Sequence, residues 1–359
     1  MFKALLFSDL HWSTYSSIIR KRGDRYSVRL HTLINTFNWI EKLADEFNVD
    51  AVISCGDTCD TSTLNAEEIT AFNEVQFSNR KHYYLVGNHE SNVSSLDYSS
   101  THVLSNNFSE IIDKPKNIEI NDKVDLTFIP YITGDVPPLS SFIKNSSKKN
   151  IVFAHQEIAG LKYGKFISQS GFEVDDILNN CTVFIDGHLH NEQMLCNNKI
   201  VLIGNVCGQN FNEDAHMYRH LVYVLTINDD GTISLDPIEN PYAFNFYKIK
   251  IEKEDDINEL KHLKDNAVVS VFCNSIYNDR VVELLDCFKS SGNVLGDKIV
   301  ESKITLFYNN INSSNNIDCF KIEDHFKLFI DFAQQKFEKT PILEDELSRL
   351  GGYKDEVEV

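Results

Sequence analysis

The 359-residue sequence lacks any apolar run of about 20 residues, the length that a membrane-spanning helix needs. Its N-terminus, Met1–Ser8, has a strand pattern and leads directly to Asp9, which leaves no room for a cleavable signal peptide. We therefore expect an intracellular protein without a bilayer span. The length suits one large domain with an appendage, or two domains.

Paired CxxC motifs are also absent, and the eight cysteines are scattered at irregular spacing. This distribution predicts reduced thiols rather than a disulfide framework. Cys55 and Cys59 flank a Gly-Asp pair, but a thiolate zinc site would need two more close ligands of the same kind.

Basic residues are few: the sequence has 34 Lys and Arg against 53 Asp and Glu, which gives a formal net charge of -19. Such a field argues against unaided, tight binding of nucleic acid, although divalent metals reverse the local field and a partner can supply a basic surface. One basic cluster stands out: Arg20, Lys21, Arg22 and Arg25, followed by Arg29. It is either a solvated loop or a contact to a phosphate backbone.

Strand and helix patterns alternate over the first 90 residues. Strand patterns lie at Phe2–Ser8, Ala51–Ser54 and His82–Val86, with amphipathic helix patterns at residues 30–47 and 65–77 between them. This order predicts an α/β core with parallel strands. Further strand patterns lack helices between them, around Leu195 and at residues 200–203, 221–227 and 232–236. From these we expect an antiparallel second sheet packed on the first, giving a two-sheet sandwich flanked by helices.

The composition shifts near Asn240-Pro241, which divides the chain into four predicted parts. Residues 1–240 form the main domain, and residues 241–308 form a small α+β unit without a metal-ligand pattern. Residues 309–320 are an asparagine-rich linker. Residues 321–359 contain an amphipathic helix pattern and an acidic tail.

Five strand patterns of the main domain end in polar motifs, at Asp9-Leu10-His11, Gly56-Asp57, Gly87-Asn88-His89-Glu90, His155 and Gly187-His188-Leu189-His190. Ligand sites of α/β sheets form at the carboxyl ends of strands, so these exits should converge on one crevice. A glycine at position 87 is expected to let the chain turn sharply there. Carboxylate, amide and imidazole donors together are what a two-metal site requires.

These motifs resemble those of the calcineurin-like metallophosphoesterases, whose fold of two sheets between helices agrees with the strand patterns. The resemblance implies two metal sites that share Asp57: Asp9, His11 and His190 complete one, and Asn88, His155 and His188 complete the other. The two divalent ions would be Mn²⁺ as in the closest relatives, while Mg²⁺, Fe²⁺ or Zn²⁺ would suit the same donors. His89 would protonate the leaving group, and Asp60 would orient its other nitrogen.

Within this family the chain most resembles the SbcD-like nuclease subunits of DNA repair and phage recombination complexes. The resemblance covers about residues 1–310 and rests on the basic cluster, the spacing from His155 to His188, Gly204-Asn205 followed by Phe211-Asn212-Glu213, and the small α+β unit, which resembles a DNA-capping domain. It implies a DNA exonuclease or endonuclease in the cytoplasm of a bacterium or phage-infected host. Such subunits act as a homodimer within a heterotetramer, with an SbcC-type ATPase whose coiled coil binds the C-terminal helical segment.

Two alternatives come from other functional classes. In a protein phosphatase the Gly-Asp-x-x-Asp motif continues as Arg-Gly, whereas here Asp60 is followed by Thr61-Ser62. A non-catalytic scaffold on the same fold has usually lost ligands, whereas every ligand position is occupied here. A metal-dependent nuclease is therefore the favoured interpretation.

Overall fold

The computed structural model describes residues 1–19, 22–92, 95–145, 147–163, 166–273, 275–290 and 294–301, all within one compact unit, Met1–Glu301. Arg20 and Lys21 of the basic cluster lie outside the described residues. So do the end of the predicted α+β unit, the predicted linker 309–320, and the predicted helical segment and tail 321–359.

The described residues form strands in this order: β1 (Phe2–Phe7), β2 (Ala51–Ser54), β3 (Lys81–Leu85), β4 (Ser91–Asn92), β5 (Ser95–Ser99), β6 (Ser109–Ile112), β7 (Lys116–Glu119), β8 (Val124–Ile129), β9 (Lys149–Ala154), β10 (Ile158–Ala159), β11 (Lys162–Tyr163), β12 (Phe166–Ile167), β13 (Phe172–Glu173), β14 (Val183–Asp186), β15 (Gln193–Leu195), β16 (Ile200–Leu202), β17 (Leu221–Ile227), β18 (Ile233–Glu239), β19 (Asn245–Ile251), β20 (Ala267–Cys273) and β21 (Val294–Glu301). The α-helices are α1 (Val28–Glu46), α2 (Ala66–Ala71), α3 (Val174–Asn180) and α4 (Asn278–Ser290). Short 3₁₀ helices lie at Phe72–Glu74, Ser100–Leu104, Leu139–Ser141, Glu254–His262 and Ser275–Tyr277.

The first sheet has the strand order β18-β17-β1-β2-β3-β6. Strands β1, β2, β3 and β6 are parallel, as the alternating pattern predicts, with Leu5 opposite Val52 and Val52 opposite His82. The parallel set places the carboxyl ends of β1, β2 and β3 side by side. Strands β17 and β18 extend the sheet beyond β1 in antiparallel pairing.

The second sheet has the order β15-β16-β14-β9-β8-β7 and differs from the prediction. Its four central strands are parallel, and only the edge strands β15 and β7 pair antiparallel. The expected antiparallel second sheet is therefore wrong, and two of the strands assigned to it, β17 and β18, belong to the first sheet. Local patterns do not reveal this, because the partner of β17 is β1, about 220 residues earlier in the chain.

One core layer lies between the two sheets, and helices cover the outer faces. Strand β1 shows the arrangement, since Ala4 and Leu6 contact the layer between the sheets while Leu5 and Phe7 contact the layer under α1. Helix α1 begins at the cap Ser27, whose hydroxyl accepts a hydrogen bond from the Leu30 amide. On the second sheet, α3 packs in a separate apolar cluster with β9, β14 and β16. The predicted two-sheet sandwich flanked by helices is confirmed.

Strands β19, β20 and β21 form a separate parallel sheet after residue 240. Its apolar cluster includes Ile249 and Val271 of the sheet, Leu260 of the Glu254–His262 helix and Leu285 of α4. All strands of this sheet are parallel and alternate with helices, whereas the sequence pattern predicts an α+β unit. The status of the segment as a capping domain stays a prediction. No helix in the described part of the chain is long and apolar enough to span a membrane.

Candidate metal centre

The seven predicted metal ligands lie just after the carboxyl ends of five strands that belong to two sheets. Asp9 and His11 follow β1, Asp57 follows β2 and Asn88 follows β3, all in the first sheet. The other three follow strands of the second sheet: His155 after β9, and His188 and His190 after β14. The crevice predicted for one open sheet is therefore formed where the ends of two sheets meet.

Several of these side chains stand on left-handed backbone, which non-glycine residues seldom adopt. The φ angles are +53° at Asp9, +52° at His11, +47° at Asp57 and +64° at His188. Asp and His tolerate this region better than most residues, yet four such positions in one site indicate stored backbone strain. The surrounding packing holds the loops in a conformation that turns these donors toward one another.

The first group of donors consists of Asp9, His11 and His190. The Nε2 atoms of His11 and His190 lie 3.1 Å apart, and each lies 3.8 Å from Oδ1 of Asp9. Ligand atoms of these three residues lie within 4.8 Å of one another, the spacing of a metal site. Asp9 and His11 are fully buried.

Both carboxylate oxygens of Asp9 are buried and have no hydrogen-bond partner among the described residues. A buried carboxylate without a hydrogen-bond partner carries a desolvation cost. A divalent cation would neutralise this charge and use both the carboxylate and the neighbouring imidazoles as ligands. The donor set therefore fits the metal that the motifs imply.

The second group consists of Asp57, Asn88, His155 and His188. Nε2 of His155 lies 3.1 Å from Oδ2 of Asp57 and 3.1 Å from Oδ1 of Asn88, and Nδ1 of His188 lies 3.1 Å from the same amide oxygen. Oδ2 of Asp57 also lies 4.0 Å from Nε2 of His11 in the first group. The structure thus brings all seven predicted ligands together, with Asp57 between the two groups, and their role as ligands stays a prediction.

Two glycines make this close packing possible. A Cβ at Gly87 would lie 2.2 Å from Oδ1 of Asp57, and a Cβ at Gly56 would lie 2.2 Å from Nδ1 of His155. Gly56 has φ +104°, whereas Gly87 is outside the left-handed region. The missing side chain of Gly87 therefore leaves room for the Asp57 carboxylate, and the sharp turn at Gly87 stays a prediction.

A comparison of the sequence with known protein families decides which family this chain belongs to. The sequence model of the calcineurin-like phosphoesterases matches residues 2–223, more than half of the chain and all seven predicted ligands. The chain belongs to this family. Calcineurin-like phosphoesterases use divalent metals, in agreement with the donor groups above.

The chain is also similar to several known proteins at low identity. Protein 244L of Invertebrate iridescent virus 6, named provisionally as a phosphoesterase, is 28% identical over an alignment of 223 residues that covers 52% of this chain and 74% of that protein. A dimetal phosphatase from Danio rerio is 11% identical with a TM-score of 0.41, covering 67% of this chain and 99% of that one. The phosphoesterase YfkN from Bacillus subtilis is 13% identical with a TM-score of 0.33, covering 66% and 88%. With identities and TM-scores this low, neither structure indicates the substrate or the site residues of this chain.

In this calcineurin-like phosphoesterase, groups outside the ligand set fix the imidazole rings. Nδ1 of His190 lies 2.7 Å from Oε1 of Glu213, and Nδ1 of His155 donates to the Cys55 carbonyl at 2.8 Å. Such partners set the tautomer and raise the basicity of the nitrogen left for a metal. The sequence pattern singles out the motif that contains Glu213 but does not reveal this role.

Asp60 has a different partner from the one expected. Its Oδ1 lies 3.0 Å from Nδ1 of His11 but 3.8 Å from Nδ1 of His89. His89 instead lies 3.1 Å from the Asp60 backbone carbonyl. The Asp60 carboxylate thus orients a predicted metal ligand, and its carbonyl orients His89. A catalytic role for either residue stays a prediction.

Two further buried charged residues support the loops, and the sequence pattern does not reveal their roles. Glu90 accepts hydrogen bonds from the amides of Gly87 and Cys59 at 3.0 and 2.8 Å, which ties the loop after β3 to the loop after β2. Burial and the nearby Asp57 raise the pKa of Glu90 to about 7. Arg29 is 3% exposed and donates to the His11 carbonyl at 3.0 Å. Arg29 therefore supports the first motif and is not part of a surface contact.

Arg22 and Arg25 lie on the surface and each forms an ion pair. Nη2 of Arg22 lies 2.9 Å from Glu67, and Nη1 of Arg25 lies 2.6 Å from Glu74. Both arginine side chains are more than half exposed, so the pairs contribute little to stability. The acidic partners nevertheless reduce the local positive charge, which the sequence alone does not reveal.

Opposite charges in the centre shift its titration. Burial lowers the pKa of His11, but the contacts with Asp60 and Asp9 outweigh it and raise that pKa to about 9. Burial likewise opposes protonation of His155, while Asp57 raises its pKa to about 10. Burial would raise the pKa of Asp57, but His155 and His11 hold it well below its usual range. Without metal, these contacts favour the protonated form of both histidines at neutral pH.

We predict that metal binding releases protons, because a histidine must be neutral to bind a metal. At pH 7 both His11 and His155 carry protons that the metal must displace, so up to two protons should leave. Above pH about 10 the histidines are already neutral, so metal affinity should rise with pH and proton release should fall. Calorimetric titration with Mn²⁺ in two buffers of different ionisation enthalpy measures this release. A binding enthalpy independent of the buffer at pH 7 would contradict the prediction.

Proposed function

We propose that this phosphoesterase is a two-metal nuclease that hydrolyses phosphodiester bonds at DNA ends. The observation that carries the proposal is the buried Asp57 carboxylate, which lies between a donor group with His155 and Asn88 and a donor group with His11 and Asp9. A shared carboxylate is the feature expected of two ions held a few ångströms apart. Mn²⁺ is the metal we expect, by the resemblance to SbcD-like subunits.

The chain's own groups account for the chemistry once the ions are bound. Two bound ions would supply an activated water and bind the phosphate oxygens. His89 would protonate the leaving oxygen. The Asp60 carbonyl can only accept a hydrogen bond, so Nδ1 of His89 carries a proton and Nε2 remains for exchange with the substrate. The side chain of His89 is 46% exposed, so a substrate can reach it.

DNA is favoured over a phosphoprotein by the residues that follow Asp60. Asp60 is followed by Thr61-Ser62 rather than the Arg-Gly of protein phosphatases. The viral relative is named only as a phosphoesterase, so the choice of DNA rests on these residues and on the resemblance to SbcD-like subunits.

We predict that the Mn²⁺-loaded protein cleaves linear duplex DNA and leaves a phosphopeptide intact. His89→Ser should lower DNA cleavage by about 10²–10⁴-fold, because a general acid is removed, while calorimetry still detects two ions per chain. Asp57→Ala should abolish both cleavage and the second ion. Product formation is followed on labelled DNA at saturating Mn²⁺.

His31 offers a matched control, since it is an exposed histidine on α1 and His31→Ser should cleave as the wild type does. His89 lies within ligand distance of His11 and Asp57, so the absence of one ion in His89→Ser would make it a ligand instead. Cleavage of the phosphopeptide with no cleavage of DNA would refute the nuclease proposal.

The basic cluster is proposed to bind the DNA backbone, with Arg20 and Lys21 outside the described residues. Replacing Arg20, Lys21 and Arg22 by Ala should weaken binding to all DNA sequences alike. The slope of log affinity against log salt should flatten by about one unit for each phosphate that the variant no longer neutralises. Fluorescence anisotropy of labelled DNA over a range of salt concentrations measures both effects.

A substitution at Glu67 should have the opposite effect on DNA binding, because the Glu67 carboxylate pairs with Arg22 on the surface. Glu67→Gln should release this arginine and strengthen DNA binding. If neither the triple variant nor Glu67→Gln changes affinity or salt slope, the cluster is a solvated loop.

The C-terminal segment is proposed to bind an SbcC-type ATPase in a heterotetramer with two copies of this chain. Its amphipathic pattern, from Ile322 to Phe337, lies outside the described residues, and the proposal rests on the pattern and the predicted linker before it. Deleting residues 309–359 should leave Mn²⁺-dependent cleavage intact and abolish co-purification with the ATPase. Phe329→Asp in the full chain should weaken the same association. A truncated protein that still binds the ATPase, or that is insoluble, would contradict the proposal.

A further inference from the structure

A cavity of about 350 Å³ lies beside the loop that carries His89. It is lined by Ser62, Thr63, Asp97, Tyr98, Ser99 and His102. Pockets that hold small organic ligands begin at about this size, roughly 300 Å³. None of the lining residues belongs to the predicted metal ligands, so the cavity is a separate feature of the molecule.

Both walls of the cavity are joined to the loop of His89. One wall, Ser62 and Thr63, follows Asp60, whose carbonyl lies 3.1 Å from Nδ1 of His89. The other wall belongs to β5, where Ser99 pairs with Ser91, two residues after His89. Two or three residues of extended chain span at most about 10 Å, so both walls begin near His89.

Hydrogen bonds hold the two walls together. The Ser100 hydroxyl donates to the Thr61 carbonyl at 2.7 Å, and the Ser100 amide donates to the Glu90 carbonyl at 3.0 Å. Glu90 is the buried residue that also fixes the loops after β2 and β3. The cavity is therefore held at a constant position relative to the metal centre.

The chemistry of the lining suits a nucleoside. Tyr98 is 72% exposed, so its ring is free to stack on a planar base. Hydroxyl groups of Ser62 and Thr63 and the imidazole of His102 offer hydrogen bonds to a base edge or a sugar. Asp97 would repel a nearby phosphate, but its carboxylate pairs with Lys114 at 3.2 Å, which neutralises this charge.

We infer that this cavity, the Tyr98 pocket, binds the nucleoside attached to the leaving oxygen of the cleaved bond. The inference rests on the proposed role of His89, because both walls of the pocket are joined to the loops that hold His89. Tyr98 is then a specificity-determining residue that selects nucleotide esters over other phosphate esters. Base stacking tolerates all four bases, so no strong sequence preference is expected.

The test compares two phosphate monoesters that differ only in the base. Deoxyadenosine 5′-monophosphate and deoxyribose 5-phosphate each have a single ester oxygen, which joins the phosphate to the sugar. Hydrolysis of either compound therefore makes the sugar the leaving group. With the Mn²⁺-loaded full-length protein, calorimetry should show about 5- to 150-fold tighter binding of the nucleotide, the range that stacking of one base supplies. Release of inorganic phosphate is checked after each titration.

Tyr98→Ala should reduce this ratio to near one without changing the affinity for deoxyribose 5-phosphate, while Tyr98→Phe keeps the ring and the ratio. Tyr15→Ala is the matched control, since Tyr15 is 71% exposed and outside the pocket. Equal affinities in the wild type, or an unchanged ratio in Tyr98→Ala, would overturn the inference. A base-dependent ratio in a protein that does not cleave DNA would refute the nuclease proposal and leave the pocket standing. DNA cleavage without such a ratio would refute the pocket alone.

Discussion

The buried carboxylate of Asp57 is the constraint on which the rest of the centre depends. It is 2% exposed, its Oδ2 lies 3.1 Å from His155, and its Oδ1 accepts a hydrogen bond from the His89 amide at 3.0 Å. A buried anion is costly unless partners surround it, so the neighbouring elements must bring cationic groups and amides to this point. The glycine at position 87 and the left-handed backbone of Asp57 itself are part of that arrangement.

The two-sheet architecture explains why such a site can form. Strand β2 supplies Asp57 from the first sheet, and β9 and β14 supply histidines from the second, so neither sheet alone holds a complete donor set. Three buried side chains keep the strand exits in register: Glu90 joins two loops of the first sheet, Arg29 holds the carbonyl of His11, and Glu213 orients His190. These contacts fix the loops and the His190 ring before any ion binds, which lowers the cost of assembling the site.

Much of this centre can be predicted from the sequence, because each motif carries its own ligand side chains directly after a strand pattern. The strand exits at Asp9, Asp57, Asn88, His155 and His188 each follow a recognisable strand pattern, and the structure brings them together. Pairing between distant segments is not local, so the sequence pattern reveals neither the position of β17 next to β1 nor the parallel second sheet. The sequence does not reveal the partner of the Asp60 carboxylate for the same reason. Its Oδ1 lies 3.0 Å from Nδ1 of His11 and 3.8 Å from Nδ1 of His89, a difference that only the structure shows.

Electron paramagnetic resonance of the Mn²⁺-loaded protein tests the central role of Asp57 most directly. If one carboxylate contacts both ions, they lie roughly 3.5–4 Å apart and their spins are coupled. We predict an exchange-coupled spectrum at two ions per chain. A spectrum of isolated Mn²⁺ ions at full occupancy, or saturation at a single ion, would contradict the account.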